Sequence, residues 1–236
     1  MLDNNKLIVA LDVSSKEEMF TLLKRINQPN AFVKVGMELF FQEGPEIIKQ
    51  LKERDYRIFL DLKCHDIPTT VNRTMKGLAK LGVDMVNVHA AGGAAMMRAA
   101  VKGLNEGSRD GEKPICLAVT QLTSTNDDML RHEVLIDKPM NEVIQAYSQL
   151  AYESGIDGVV CSPWEASLVK EATAETFVTV TPGIRLISDK QDDQERIATP
   201  SKARELGSDY IVVGRSITHA VDPEKAYLEV QHQWGR

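Results

Sequence analysis

The sequence is poor in everything that holds a chain together without a hydrophobic core. It has 3 cysteines, Cys64, Cys116 and Cys161, which are far apart and odd in number. No Cys-x-x-Cys pair or Cys/His cluster has zinc spacing, so a disulfide or zinc framework is excluded. Three reduced thiols fit a cytoplasmic protein. No apolar run approaches the ~20 residues needed to span a bilayer. The N-terminal MLDNNKLIVALDV is broken by Asp12 and followed by no small-residue cleavage site, so it does not read as a signal peptide. Positive charge is also short: Lys plus Arg is 28 against 34 for Asp plus Glu, a net charge of −6. That argues against a nucleic-acid partner, which needs a basic face, but not against a small anion in a local basic pocket. Linkers, low-complexity tracts and a Gly-x-Gly-x-x-Gly fingerprint are absent too.

What is present is a core. Hydrophobic residues make up 43% of 236, and a chain of this length buries roughly 70% of its surface on folding. Short β-branched runs recur at 6–13, 32–36, 58–63, 85–89, 115–122, 158–162, 177–181 and 210–214. Such near-continuous runs suit strands buried on both faces, as in parallel sheets. Between them lie amphipathic stretches. SSKEEMFTLLKRI offers Ser14 or Ser15 as N-cap, with Met19, Leu22, Leu23 and Ile26 at helical spacing. Gly82, Gly155 and Gly207 close later helices. Eight strands alternating with eight helices predict an α/β chain folded as one (β/α)8 (TIM) barrel over 1–236, since such barrels take ~250 residues. A doubly wound open sheet is the competing architecture, and the missing dinucleotide fingerprint counts against it.

A barrel of this kind carries its active site where the strands end. Polar residues close the runs there: Asp12, Lys34, Asp61 and Lys63, then Asn87 and His89, Thr120 and Thr123, Thr181-Pro182-Gly183 and Gly214-Arg215. Singly, each has a bland explanation. Asp12 is a common turn residue, Lys34 can reach the barrel rim, and Asn87 and His89 can be structural hydrogen-bonders. Together they are harder to dismiss, because charges this deep in apolar strands are costly unless paired. Side chains alternate with period two, so Asp61 and Lys63 share a face. The loops after strands seven and eight, TPGIR and VVGRSIT, place glycines beside Arg185 and Arg215. In barrels those loops often bind phosphate, and an arginine fork suits it. The polar stretch 184–199 reads as a solvated loop or as a lid.

At DLKCHDIPTTV (61–71) the sequence closely resembles the orotidine 5′-monophosphate decarboxylase family, through the pattern D-x-K-x-x-D-I-P-x-T. ALDV with Asp12, FVKVG with Lys34, LTS with Thr123, TPGIR and VVGRSIT follow in the family's order, so the resemblance spans the chain. It implies conversion of orotidine 5′-monophosphate to uridine 5′-monophosphate and CO2, with no metal and no organic cofactor. It implies Lys63 as the proton donor to pyrimidine C6, Asp61 beside the departing carboxylate, and Lys34 completing the charge array and touching the ribose. Asp66, and Thr70 with it, would come from the partner subunit of a homodimer. Asp12 would bind a ribose hydroxyl, Thr123 would face the pyrimidine, and Arg185, Gln194, Gly214 and Arg215 would grip the phosphate. Gln194 in the long loop favours the lid. The rival enzyme is a Mg²⁺-dependent sugar-phosphate decarboxylase or aldolase sharing the D-x-K-x-x-D strand. Outside catalysis, the rival is an inert phosphate-binding barrel, which a broken charge array would reveal; Lys34, Asp61, Lys63 and Asp66 are all present.

Overall fold

A computed structural model of the protein describes residues 6–109, 112–187 and 197–235. Eight parallel strands close in sequence order, each hydrogen-bonded to the next and the last to the first. They are β1 (Leu7–Ala10), β2 (Phe32–Gly36), β3 (Arg57–Cys64), β4 (Met85–His89), β5 (Ile115–Val119), β6 (Gly158–Val160), β7 (Val178–Thr181) and β8 (Tyr210–Val213). The barrel is thus the (β/α)8 fold that the alternation predicts, and the open sheet is excluded by the β1–β8 pairing.

Helices cover the outside: α1 (Lys16–Ile26), α2 (Met37–Glu43), α3 (Glu46–Lys52), α4 (Pro68–Lys80), α5 (Gly93–Gly107), α6 (Asp127–His132), α7 (Met140–Glu153), α8 (Ala166–Ala172), α9 (Pro200–Glu205), α10 (Arg215–Thr218) and α11 (Pro223–Gly235). Ser15 caps α1, its hydroxyl accepting the Glu18 N–H. The three helix-closing glycines all have positive φ, 75° at Gly82, 79° at Gly155 and 90° at Gly207. Three short helices, α2, α6 and α10, escape the periodicity. At four to seven residues each, they add to the eight helices that the alternation predicts.

Each strand splits its apolar residues between two cores. Ile8, Ala10, Phe32, Phe59, Met85, Leu117, Val180 and Val212 fill the barrel interior. Their neighbours, Leu7, Val9, Val33, Ile58, Leu60, Val86, Cys116 and Ile211 among them, pack against the helices. The strands proper stop short of the apolar runs, β1 at Ala10 and β5 at Val119. Beyond those points the chain leaves the ladder to form the mouth.

Candidate active site

Period two carries the inward-facing set upward from the packed interior. Two residues above Ala10, Phe32, Phe59, Met85 and Val212 stand Asp12, Lys34, Asp61, Asn87 and Gly214. The packing layer thereby gives way to a polar layer at the C-terminal end of the strands, over a cavity of about 260 Å³. Asp12, Lys34, Asp61, Lys63, Thr123, Arg185, Gly214 and Arg215 all line it. Eight of the expected site residues thus converge on one opening. Gln121, Leu122 and Cys161 also line it; each follows or closes an apolar run and gave no separate signal in the sequence.

The charges form a continuous chain. Lys34 Nζ lies 3.0 Å from Asp12 Oδ1 and 3.3 Å from Asp61 Oδ2. Lys63 Nζ donates to Asp61 Oδ1 at 2.7 Å. The Asn87 amide donates to the same oxygen at 2.7 Å. Burial alone would raise the Asp61 pKa, but the charges of Lys34 and Lys63, with the hydrogen bonds from Lys63 and Asn87, hold it below the usual carboxylate range. Burial likewise opposes the ammonium of Lys34, and the charges of Asp61 and Asp12 overcome it and raise the Lys34 pKa. Both groups are therefore ionised at neutral pH. Burial pushes the Cys161 thiol far above its ordinary value, which leaves it a poor nucleophile.

Lys63 reaches the cavity by a different route from the one simple alternation supplies. β3 is regular to Leu60, opposite Val86, but Cys64 pairs with Val88, so β3 spends four residues where β4 spends two. Lys63 has φ 48°, a left-handed backbone that few non-glycine residues adopt. A bulge of this kind re-aims a side chain at the end of a strand. Here it delivers the ammonium to Asp61.

At the opposite wall, Gly183 has φ 81° and turns the chain out of β7. Its carbonyl accepts the Ala198 N–H at 3.1 Å, and the Arg185 N–H donates to Ala198 O at 3.0 Å. The two stems of the long loop are thereby joined across its base, with Arg185 held beside the cavity, only 9% exposed. Trp164 donates its indole N–H to Ile197 O at 3.3 Å on the same stem. Gln194, and the lid expectation that rests on it, lie outside the described residues.

Two expected site residues do not line this cavity. Asp66 and Thr70 are exposed, at the entry to α4 and in its first turn. The Asp66 carboxylate accepts the Ile67 N–H at 2.6 Å. Thr120 is structural: its hydroxyl donates to Val160 O at 3.2 Å across β5 and β6. His65 and His89 face one another, ring centroids 5.7 Å apart. Burial, then His65 and Lys63, keep the His89 pKa low, so it is neutral at pH 7.

A closed parallel barrel whose strand ends gather a lysine–carboxylate chain and two arginines around one cavity defines a barrel enzyme. The family described as orotidine 5′-phosphate decarboxylase / HUMPS matches residues 5–230, and the chain belongs to that family. It is 56% identical over 232 residues to the orotidine 5′-phosphate decarboxylase of Bacillus cereus, and 57% identical to that of Bacillus mycoides, with 98% of each chain covered. Among solved structures it is similar to orotidine 5′-phosphate decarboxylase from Lactobacillus acidophilus, at TM-score 0.89 and 45% identity over 98% of this chain and 99% of that one. An uncharacterized conserved protein from Geobacillus kaustophilus matches at TM-score 0.86 and 51% identity, over 97% and 99% of the two chains.

Proposed function

We propose that this protein decarboxylates orotidine 5′-monophosphate to uridine 5′-monophosphate and CO2, the last step of de novo pyrimidine nucleotide synthesis. The observation that carries the reading is the Asp12–Lys34–Asp61–Lys63 chain lining one cavity of about 260 Å³ together with Arg185 and Arg215. When the C6–carboxylate bond breaks, its electron pair stays on C6 in the ring plane, where the π system cannot take it up. Fixed positive charge at that atom is the available stabiliser. The Lys63 ammonium supplies it and then gives C6 a proton, and the neutral amine regains one from solvent. Asp61 holds Lys63 in place and sets negative charge beside the substrate carboxylate, a repulsion relieved as CO2 departs.

The remaining roles are those the family resemblance implies. Asp12 and Lys34 bind ribose hydroxyls, Thr123 faces the pyrimidine, and Arg185, Gly214, Arg215 and, from the long loop, Gln194 hold the phosphate. That remote grip supplies binding energy for orientation at C6. The protein works as a cytoplasmic homodimer, each site completed by Asp66 and Thr70 of the partner subunit. Their exposure on their own chain, outside the lining of its cavity, supports that sharing.

The same family includes the HUMPS branch, and the rival reading is a Mg²⁺-dependent enzyme acting on a sugar phosphate. Lys34 speaks against it. Its ammonium already bridges Asp12 and Asp61 at 3.0 and 3.3 Å, the place where those carboxylates would share a divalent ion. Among the described residues no three His, Cys, Asp or Glu side chains gather as metal ligands. An absorbance assay with orotidine 5′-monophosphate, run with and without EDTA, tests the reading. Turnover unaffected by EDTA is expected; no turnover, or turnover lost to EDTA, would favour the rival. Mixing inactive Lys63→Ala and Asp66→Ala homodimers under subunit exchange should restore activity, because one hybrid site is intact. No recovery despite demonstrated exchange would remove Asp66 from the shared site.

A further inference from the structure

The Lys63–Asp61 pair sits on the least regular backbone of the barrel. A left-handed backbone is strained for a non-glycine residue and persists only where its surroundings hold it. Lys63 is such a residue, with φ 48°, and the register slip between Leu60 and Cys64 takes it off the regular β3–β4 ladder. Its N–H is satisfied by a side chain instead: Asn87 Oδ1 accepts it at 2.8 Å. The other end of the same amide, Asn87 Nδ2, donates to Asp61 Oδ1 at 2.7 Å, the oxygen that also takes Lys63 Nζ. Asn87 is 1% exposed and does not line the cavity. Both polar ends of a fully buried side chain are thus committed to two residues that do face the cavity.

We propose that Asn87 is a positioning residue, its amide tying the Lys63 main chain to the Asp61 carboxylate so that the Lys63 ammonium is held over the reacting carbon. The two ends of the amide do different things. The acceptor holds the left-handed turn that aims Lys63. The donor fixes the rotation of the Asp61 carboxylate, so that Oδ1 faces Lys63 while Oδ2 faces Lys34. A neutral group with an acceptor and a donor on one short stem is required. An ionised carboxylate offers only acceptors, and a leucine offers neither. The inference rests on Lys63 and Asp61 acting as proposed above.

The test is steady-state turnover of orotidine 5′-monophosphate across pH by the full chain, for wild type, Asn87→Leu and Asn87→Asp, with circular dichroism to confirm folding. A wild type without turnover overturns the functional reading itself, whatever the variants do. With an active wild type, Asn87→Leu is expected to lose roughly 100-fold in kcat with KM within about fivefold, the signature of a misplaced reacting group. Asn87→Asp keeps the shape and the acceptor. Its introduced carboxyl can donate to Asp61 only when protonated, so its activity should fall as pH rises over a range where wild type is level. A merely structural asparagine would lower thermal stability without tilting that profile. Folded variants that both keep kcat within about threefold of wild type, or an Asn87→Asp profile parallel to wild type, would overturn the proposal. Should Asn87→Leu fail to fold, the Asn87→Asp profile decides alone.

Discussion

Lysine–aspartate pairs occur at both ends of this barrel, and they are built differently. At the N-terminal ends of the strands the same device appears three times. Asp84, Asp157 and Asp209 each stand immediately before an even-numbered strand, β4, β6 and β8. Each accepts a backbone N–H from the odd strand before it: Ile58 at 2.8 Å, Cys116 at 2.8 Å and Thr179 at 2.9 Å. Each also takes one lysine: Lys52 at 3.0 Å, Lys113 at 2.6 Å and Lys170 at 2.6 Å. One charge meets one charge, and the carboxylate is anchored to the sheet. At the C-terminal ends Asp61 meets two lysines, and an asparagine side chain provides its remaining hydrogen bond. The first arrangement closes the charge within the protein. The second extends into a chain through Asp12 and leaves the Lys63 ammonium, at its end, facing a cavity, where a developing carbanion needs it.

The largest expected effect separates the two ends by activity. Lys63→Ala should cost at least ~10⁴-fold in kcat, the combined scale of a lost proton donor and lost electrostatic stabilisation, while product-nucleotide binding largely persists. Its thermal stability should stay near wild type, since Lys63 is half-buried and Asp61 keeps Lys34. Binding reduced by the same large factor as kcat would show that Lys63 acts mainly on the bound ground state.

The next effect separates them by stability. Asp209→Asn removes the charge that neutralises Lys170, whose side chain is only 9% exposed and otherwise meets the carbonyls of Glu175 and Phe177. A loss of about 2 kcal/mol is expected for a charged hydrogen-bonded partner of this burial. That corresponds to roughly 4–8 °C in Tm for a chain of this size. Calorimetry reads the shift, and kcat should stay within about threefold. A large fall in kcat with unchanged Tm would erase the division of labour between the ends.

The sequence exposes these two ends unequally, for a physical reason. The fold is legible because strand and helix periods alternate throughout. Asp12, Lys34 and Asp61 are legible because a charge two residues beyond an apolar inward position violates the pattern of its own strand. Arg185 and Arg215 are legible from the glycines beside them. Asp84, Asp157 and Asp209 violate nothing: an aspartate before a strand is ordinary turn chemistry. Their lysines lie 32, 44 and 39 residues away, and only the closed barrel brings them near. Asn87 stayed ambiguous for the same reason, since its partners become visible only once β3 slips against β4. Alternation put Lys63 on the correct side, but the bulge and the left-handed backbone are what take it there. Asp66 and Thr70 carry no signal of their own, and only the resemblance points to them.

The smallest effect is a pH dependence at the C-terminal end. Asp61 has a lowered pKa in the folded protein, by the balance of its burial against Lys34 and Lys63. As pH falls, the unfolded chain therefore takes up its proton first, near the ordinary value of about 4. The stability that ionised Asp61 contributes is present above that value and is lost as pH falls through the lower, folded one. Lys34, with its pKa raised once Asp61 and Asp12 outweigh burial, has the opposite sign. Its contribution is present below about 10.4 and is lost as pH rises beyond it, through the folded value. The ionic chain is thus intact between these limits. The stability gap between wild type and Asp61→Asn, measured by urea unfolding, should be constant from about pH 7 to 9 and narrow below about pH 4. A gap as wide at pH 3 as at pH 8 would mean that the charge on Asp61 contributes nothing to folding, and that Asn87 and the two lysines hold this residue by shape and neutral hydrogen bonds.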